Sequence, residues 1–163
     1  MFEIREIRPD EYVFLREMLY EAIYFPHESE KPPRSIIDEP HLAKYIDGFG
    51  RAGDLAFVLL KDNELSGAIW VRQFSAVEKS YGFVDEATPE LSMAVKKDLR
   101  GRGFGTQLIG KICGVLKSKG VGKLSLSVDK QNPAVNLYKR SGFEIVGEQG
   151  TAYTMLKTLQ GEF

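Results

Sequence analysis

The stretch Arg100-Gly101-Arg102-Gly103-Phe104-Gly105 separates an apolar run, residues 91–95, from a segment whose apolar side chains recur at helical spacing, residues 103–119. Its three glycines predict a tight turn that leads directly into a helix. The N–H groups in the first turn of a helix have no partner within it, and the helix dipole favours an anion beside them. The two arginines offer planar charged groups that match phosphate. The stretch therefore predicts a phosphate-binding turn.

A second informative stretch is Asn132-Pro133-Ala134-Val135-Asn136-Leu137-Tyr138-Lys139-Arg140-Ser141-Gly142-Phe143. Asn132 is a favoured helix cap and Pro133 a favoured first helical residue, so a short helix is expected over residues 133–141. This helix carries Tyr138. Together with the phosphate-binding turn, an asparagine and a tyrosine at this distance downstream point to a pyrophosphate-bearing cofactor.

Length and composition limit the class of protein. A chain of 163 residues is expected to form one domain, residues 1–163, that is stable without disulfides or a structural metal. The net charge of -1 gives no reason to expect nucleic-acid binding. The single cysteine, Cys113, excludes an internal disulfide, and His27 and His41 are isolated, so no metal site is expected. Because no bilayer-spanning run and no signal-peptide pattern are found, we expect no membrane association and a cytoplasmic location.

Hydrophobic periodicity predicts the order β-α-α-β-β-β-α-β-α-β-β, which is one mixed sheet with helices on its faces, an α/β or α+β domain. Strands are predicted at residues 2–8, 55–60, 65–72, 91–95, 124–128, 143–146 and 152–156. A first helix is expected to be capped by Asp10 and to place Val13 on its apolar face, and further helices are expected at residues 41–49, 103–119 and 133–141. Residues 26–40 and 75–89 are predicted to be long loops.

The two motifs resemble the signatures of the GNAT superfamily of N-acetyltransferases. Arg-x-x-Gly-x-Gly at residues 100–105 is similar to that family's acetyl-CoA pyrophosphate loop, and Asn132-x5-Tyr138-x3-Gly142-Phe143 resembles its second signature. The motif match covers residues 91–143, while the first third of the chain shares only the general layout. The resemblance implies the acyl-CoA N-acyltransferase fold, with a central mixed, mostly antiparallel sheet and helices on both faces, of either the RimI-like or the small-molecule type.

The resemblance also implies a set of residues that bind acetyl-CoA. Arg102 is expected to contact phosphate, Arg100 to shape the loop, and Phe104 to face the core while contributing its N–H. Gly103 and Gly105 would let the backbone approach the pyrophosphate, where no side chain fits. Asn132 would either bind the cofactor's arm or only cap its helix. The full predicted set is Met93, Ala94, Val95, Arg100, Gly101, Arg102, Gly103, Phe104, Gly105, Thr106 and Asn132.

Two residues are candidates for proton transfer. Tyr138 would act as the general acid that protonates the leaving thiolate, as the family pattern implies. Some family members carry a glutamate near the start of the strand that ends here at Val95, and Glu90 lies close to that place, one residue off. Glu90 is therefore a candidate base, and a relay through water is the alternative.

The implied activity is transfer of an acetyl group from acetyl-CoA to a primary amine by direct attack in a ternary complex. The acceptor is a small-molecule amine or a protein N-terminus, and Asp85, Glu86 and Glu90 fit either a cationic acceptor or a solvated loop. Aromatic and histidine side chains that either line an acceptor pocket or lie in the core are Trp70, Tyr81, Phe83, Tyr153, Tyr24, Phe25 and His27.

Two other classes of protein compete with the acetyltransferase reading. A non-catalytic acyl-CoA-binding or sensing module is the main alternative, because no clear base is present. A dinucleotide-binding oxidoreductase is disfavoured, since Thr106 stands where the third glycine of its fingerprint belongs. The oligomeric state is not readable, and a homodimer is one state that the sequence allows.

Overall fold

Seven strands form one sheet within residues 1–160, the part of the chain that the computed structural model describes. They are β1 (Phe2–Glu6), β2 (Leu55–Lys61), β3 (Glu64–Arg72), β4 (Glu90–Val95), β5 (Lys123–Asp129), β6 (Glu144–Gln149) and β7 (Ala152–Thr158). Their spatial order is β1-β2-β3-β4-β5-β7-β6, and every neighbouring pair is antiparallel except β4 and β5. The predicted mixed, mostly antiparallel sheet is confirmed. The predicted domain also includes residues 161–163, which lie outside the described residues.

Four α-helices cover the two faces of this sheet: α1 (Phe14–Ala22), α2 (Pro40–Ala43), α3 (Phe104–Ser118) and α4 (Ala134–Arg140). Helices α3 and α4 pack on one face, in a core with Phe57 and Leu126, while α1 packs on the other face with Val58 and Trp70. Because helices lie on both sides, β2 and most of β3 are buried along their length and read as continuous apolar runs. Within residues 1–160, no helix has the length and hydropathy needed to span a bilayer.

The first helix begins later than the sequence predicts. A 3-10 helix, Pro9–Glu11, comes first, α1 starts at Phe14, and Val13 is 71% exposed rather than part of the apolar face. The Glu11 carboxylate caps this 3-10 helix by accepting the Arg8 N–H at 2.9 Å, and none of the described side chains caps the start of α1. The prediction of an Asp10 cap and a buried Val13 is therefore wrong.

The predicted helix over residues 41–49 is also wrong beyond its first turn, because α2 ends at Ala43 and turns follow. Past Ala43 the chain is closed by turn bonds such as that from the Tyr45 N–H to the Leu42 carbonyl, at 3.1 Å, and Gly48 has a positive φ of 62°. A buried arginine from β3 holds these turns, because Arg72 Nη1 donates to the carbonyls of Lys44 and Asp47, at 3.0 Å and 2.6 Å.

The parallel neighbours β4 and β5 pair at a single register position, Glu90 with Ser125. Beyond that pair, no further ladder joins them among the described residues, although β4 continues to Val95 and β5 to Asp129. We call this gap the β4–β5 opening. It leaves backbone groups of two central strands available to an extended ligand.

Candidate active site

Unpaired backbone N–H groups mark the start of α3. Gly101 and Gly103 have positive φ angles of 75° and 87°, which turn the chain sharply into the helix. Within residues 1–160, nothing accepts a hydrogen bond from the N–H groups of Phe104, Gly105 or Thr106. Phe104 is buried in the core, as predicted, while Gly101, Gly103 and Thr106 lie at the surface. The turn therefore presents free donors and the positive end of a helix dipole to solvent.

The two glycines that were expected to admit a ligand serve different purposes. A Cβ at Gly103 would have nothing within 4 Å, so among the described residues only its φ angle favours glycine. A Cβ at Gly105 would come within 2.7 Å of Leu137 Cδ2 and 3.4 Å of Met93 Cε, so a side chain there would require Leu137 to shift. The close approach of a pyrophosphate to both glycines stays a prediction.

The two arginines of the turn have separate environments. Arg100 Nε donates to the Val95 carbonyl at 3.2 Å, and its Nη2 donates to Glu21 of α1 at 3.1 Å. Arg100 thus closes the loop between β4 and α3. Arg102 is exposed, with its guanidinium carbon 5.3 Å from the centroid of the Phe2 ring. Arg102 is the arginine left available to an anion at the start of α3.

The predicted ligand strand lies along the β4–β5 opening. Met93 is half-buried, and Ala94 and Val95 are buried. Side chains alternate along the strand, since Met93 and Val95 pack toward α3 while Ala94 packs in the core on the α1 side. Ligand contacts along this strand would therefore come from its backbone.

Asn132 acts as a helix cap in this structure. Its Oδ1 accepts the N–H of Ala134 at 2.9 Å, and its carbonyl accepts the N–H of Val135 at 3.0 Å. This observation accounts for one of its two predicted roles. The same oxygen keeps capacity for a second donor.

Tyr138 lies on α4 and is buried in the core on the α3 side of the sheet, with its ring 5.7 Å from that of Phe143. Burial raises the pKa of its hydroxyl to about 12. No hydrogen bond to this hydroxyl is found among the described residues. Tyr138 therefore remains protonated at neutral pH and has a proton to give.

Glu90 is held in a buried polar cluster. Its Oε2 accepts the Tyr45 hydroxyl at 2.8 Å, and its Oε1 accepts the Gly82 N–H at 3.0 Å and the Ser80 hydroxyl. The residue is 3% exposed, and burial raises the pKa of its carboxyl. Both oxygens are thus occupied, and Glu90 fastens the β3–β4 loop to the sheet.

Sequence patterns do not reveal these partners. Tyr45, Ser80 and Gly82 come from separate positions in two loops, with no motif that joins them to Glu90. A Cβ at Gly82 would lie 2.7 Å from the Leu126 carbonyl carbon, so glycine is needed where this loop crosses β5. Beside Glu90, Ser125 Oγ is buried without a hydrogen-bond partner among the described residues. Polar groups therefore gather where β4 and β5 part.

A cleft of about 780 Å³ lies on the α1 face of the sheet, between the end of α2, the β3–β4 loop and strands β6 and β7. We call it the β6–β7 cleft. Tyr81 and Phe83, two of the residues considered for an acceptor pocket or the core, line it. Trp70 is instead a core residue, 1% exposed, and Tyr153 packs toward the opposite face. Tyr24, Phe25 and His27 do not line this cleft.

The sheet order, the β4–β5 opening and the free N–H groups at the start of α3 together define the acyl-CoA N-acyltransferase class of fold. The acetyltransferase (GNAT) family matches this chain over residues 6–143. The chain therefore belongs to the GNAT family, which confirms the resemblance carried by its two motifs.

Known proteins similar to this chain include both a sequence relative and solved structures. A stretch of 63 residues is 43% identical to the [ribosomal protein bS18]-alanine N-acetyltransferase of Haemophilus influenzae, covering 39% of this chain and 42% of that protein. The match thus spans less than half of the relative's length.

Two solved structures share the fold over nearly their whole length. The PaiA N-acetyltransferase of Thermoplasma acidophilum, in complex with coenzyme A, has a TM-score of 0.70 at 19% identity, covering 97% of this chain and 99% of that one. The ribosomal-protein-S18-alanine N-acetyltransferase of Escherichia coli has a TM-score of 0.68 at 18% identity, covering 100% and 97%. At 19% and 18% identity, this likeness is evidence for a shared fold.

Proposed function

We propose that this chain is an acetyl-CoA-dependent N-acetyltransferase that acetylates a primary amine by direct attack in a ternary complex. The observation that carries the proposal is the turn of free N–H groups at the start of α3, placed beside the β4–β5 opening in a member of the GNAT family. The turn suits a pyrophosphate, and the opening suits the extended arm that joins a pyrophosphate to a thiol. A solved structure of the same fold was obtained with coenzyme A.

The described residues fit acetyl-CoA in chemistry. The N–H groups of Phe104, Gly105 and Thr106 and the guanidinium of Arg102 would hold the pyrophosphate. The backbone of residues 93–95, along the open edge of β4, would hold the arm, and Asn132 keeps acceptor capacity beside it. Acetyl-CoA would supply a thioester, whose C–S bond breaks as the amine nitrogen forms the new C–N bond.

Across the reaction, the amine loses one proton and the sulfur gains one, and Tyr138 would regain its own proton from Glu90 or from water. Tyr138 holds a proton at neutral pH and would donate it to the leaving sulfur. The amine must lose one proton, which would pass to Glu90 or to water. Because Glu90 is buried and its oxygens already accept three hydrogen bonds, its geometry favours the water route. Cys113 is half-buried and burial raises the pKa of its thiol, which favours direct attack over a covalent relay through sulfur.

Replacement of Glu90 with glutamine separates these two routes. If water accepts the proton, we expect kcat in Glu90→Gln to stay within about tenfold of the wild-type value, since the amide preserves most of the polar cluster. A loss of about 100-fold or more, with a folded protein, would instead identify Glu90 as the base. Steady-state release of the CoA thiol measures both outcomes, and Glu86→Gln, at an exposed glutamate in the loop before β4, is the matched control.

The same variant has a predictable pH dependence of stability. Burial raises the pKa of Glu90 in the folded protein, whereas the pKa of a glutamate in the unfolded chain is about 4.3. Folding therefore favours the protonated form, and the contribution of Glu90 to stability is lost as pH rises from that value through the raised folded pKa. We expect the unfolding free energy of Glu90→Gln, relative to wild type, to increase over this window. A difference that is independent of pH would contradict the shift.

Acetyl-CoA binding is tested by thermal unfolding, with NAD as the control ligand. At a hundred times its dissociation constant, acetyl-CoA should add about 2.7 kcal/mol of stability. Arg102→Ala should weaken binding about tenfold or more, because it removes a charge-assisted contact to phosphate. Arg51→Ala, an exposed arginine on the loop before β2, should leave the affinity unchanged. No shift with acetyl-CoA would mean that the turn at α3 does not bind the cofactor.

The second candidate function is a non-catalytic acyl-CoA-binding or sensing module, favoured by the occupied oxygens of Glu90. Thiol release that depends on an added amine would exclude it.

For an enzyme, we propose either a small-molecule amine or a protein N-terminus as acceptor, the latter because the curated relative is named for a ribosomal protein alanine. A homodimer and a cytoplasmic location remain proposals.

A further inference from the structure

The β6–β7 cleft lies beside the point where β4 and β5 part. Thr154 and Leu156 of the cleft pair with Ser127 and Ser125 of β5. Ser80, in the cleft wall, donates a hydrogen bond to Glu90 at the first residue of β4. If the proposed function holds, on which this inference rests, an acceptor amine in the cleft would meet the thioester at the β4–β5 opening.

The charged lining of this cleft is mainly basic. Lys44, which directly follows α2, and Lys79, from the β3–β4 loop, line it together with His41. Lys44 Nζ donates to the backbone carbonyl of Lys79, so the Lys44 side chain is held against the loop that carries Lys79. The one lining acid, Glu148, is already bound by Lys130.

The acids near the cleft are engaged elsewhere. Asp85 Oδ1 accepts the Ala87 N–H at 3.0 Å and the Thr88 hydroxyl at 2.9 Å. Glu86 Oε2 accepts the Ala76 N–H at 2.9 Å. Neither acid lines the cleft, and Glu90 is buried beneath it. The acids of this stretch therefore stabilise their own loop and do not contribute negative charge to the lining of the cleft.

Apolar surface accompanies these cations. Tyr81, Val84 and Val146 line the cleft and remain 44%, 37% and 52% exposed. Lys79 Nζ lies 5.8 Å from the centroid of the Phe83 ring, so its charge stands at the edge of the apolar surface. A ligand that covered these side chains would gain from burial of apolar area as well as from charge.

We infer that the acceptor is a primary amine that also carries an anionic group, a carboxylate or a phosphate, next to an apolar part. Lys44 and Lys79 would bind the anion, and Tyr81 and Val146 would contact the apolar part. The amine then points toward the β4–β5 opening. Both a small anionic amine and the N-terminus of an acidic peptide have this chemistry.

Matched pairs of amines test whether the enzyme prefers an anionic acceptor. They also distinguish a small anionic amine from the N-terminus of an acidic peptide. The small-molecule pair is L-phenylalanine and L-phenylalaninamide, and the peptide pair has an N-terminal alanine followed by two glutamates or by two lysines. With acetyl-CoA, we expect kcat/KM for thiol release to be about tenfold or more higher for the anionic member of at least one pair. Amidation lowers the pKa of the neighbouring amine, so a preference for phenylalanine cannot arise from a larger free-base fraction.

Lysine variants locate the preference in the cleft. Lys79 is exposed, so its substitution should not affect folding. Lys79→Gln should reduce the preference, Lys79→Glu should reverse it, and Lys79→Arg should keep it, all with an unchanged KM for acetyl-CoA. Lys119→Gln, an exposed lysine at the end of α3, is the matched control. Turnover that favours the neutral or cationic member, or a preference that survives Lys79→Glu, overturns this inference alone. No thiol release with any amine overturns the proposed function and this inference with it.

Discussion

Replacement of Tyr138 with phenylalanine is expected to lower kcat by about 100-fold while changing the affinity for acetyl-CoA little, which is the size of effect that general acids have. The loss is expected because the Tyr138 hydroxyl supplies the proton that the departing sulfur needs. The hydroxyl is neutral when the thiolate leaves and therefore has a proton to donate, although burial raises its pKa to about 12 and makes it a weaker acid than an exposed tyrosine. Without that hydroxyl, the thiolate must leave unprotonated or wait for water.

This variant should fold normally. The Tyr138 ring packs in the core against Phe143, and phenylalanine preserves that contact. Because no hydrogen bond to the hydroxyl is found among the described residues, its removal leaves no donor or acceptor unpaired there. Unfolding by urea should therefore show a stability close to that of the wild type.

Steady-state thiol release at saturating amine measures the loss in turnover, and titration with acetyl-CoA measures the affinity. Tyr12→Phe, on the α1 side of the sheet, is the control for removal of a tyrosine hydroxyl. Arg102→Ala should show the opposite pattern, with weakened acetyl-CoA binding as its main effect. If both variants lose acetyl-CoA affinity equally, the division of roles between Arg102 and Tyr138 is wrong.

Local sequence signals predicted the strands and the glycine turn before α3 well. The apolar runs of β2 and β5 and the glycine turn before α3 are decided by neighbours in the chain, which periodicity reports directly. Expectations that depended on distant residues were wrong. The turns that follow α2 are held by Arg72, whose contact with the Lys44 carbonyl spans 28 positions. No local pattern contains that contact.

The candidate site also depends on contacts between distant residues that no local pattern contains. The motif singled out Gly105, but its close packing against Leu137 of α4 appears only in the structure. Glu90 was singled out by its place on a strand, whereas Tyr45, which donates a hydrogen bond to its carboxylate, comes from a turn 45 positions away. The basic character of the β6–β7 cleft was hidden in the sequence by nearby acids such as Glu86, which bond within their own loop.

Replacement of Arg72 with methionine is expected to cost about 3–5 kcal/mol of unfolding free energy, the range for breaking a buried ion pair by removing one partner. Arg72 and Asp54 have side chains that are each 1% exposed, and they form two hydrogen bonds, at 3.0 Å and 2.7 Å. The variant would leave the Asp54 carboxylate buried without its cation. It would also remove the donor to the carbonyls of Lys44 and Asp47.

Two further variants show which part of the network carries this loss. Arg16→Met breaks a pair of similar length, 2.6 Å to Asp38, whose side chains are 45% and 59% exposed, so it should cost less than about 1 kcal/mol. The double variant Arg72→Met/Asp54→Leu removes the unpaired carboxylate, but it leaves both carbonyls without a donor and the N–H groups of Gly50 and Arg51 without an acceptor, so it should recover only part of the stability. Urea unfolding measures all three. Equal losses in Arg72→Met and Arg16→Met would contradict the role of burial, and full recovery in the double variant would show that the two carbonyl contacts contribute nothing to the turns that carry Lys44 to the β6–β7 cleft.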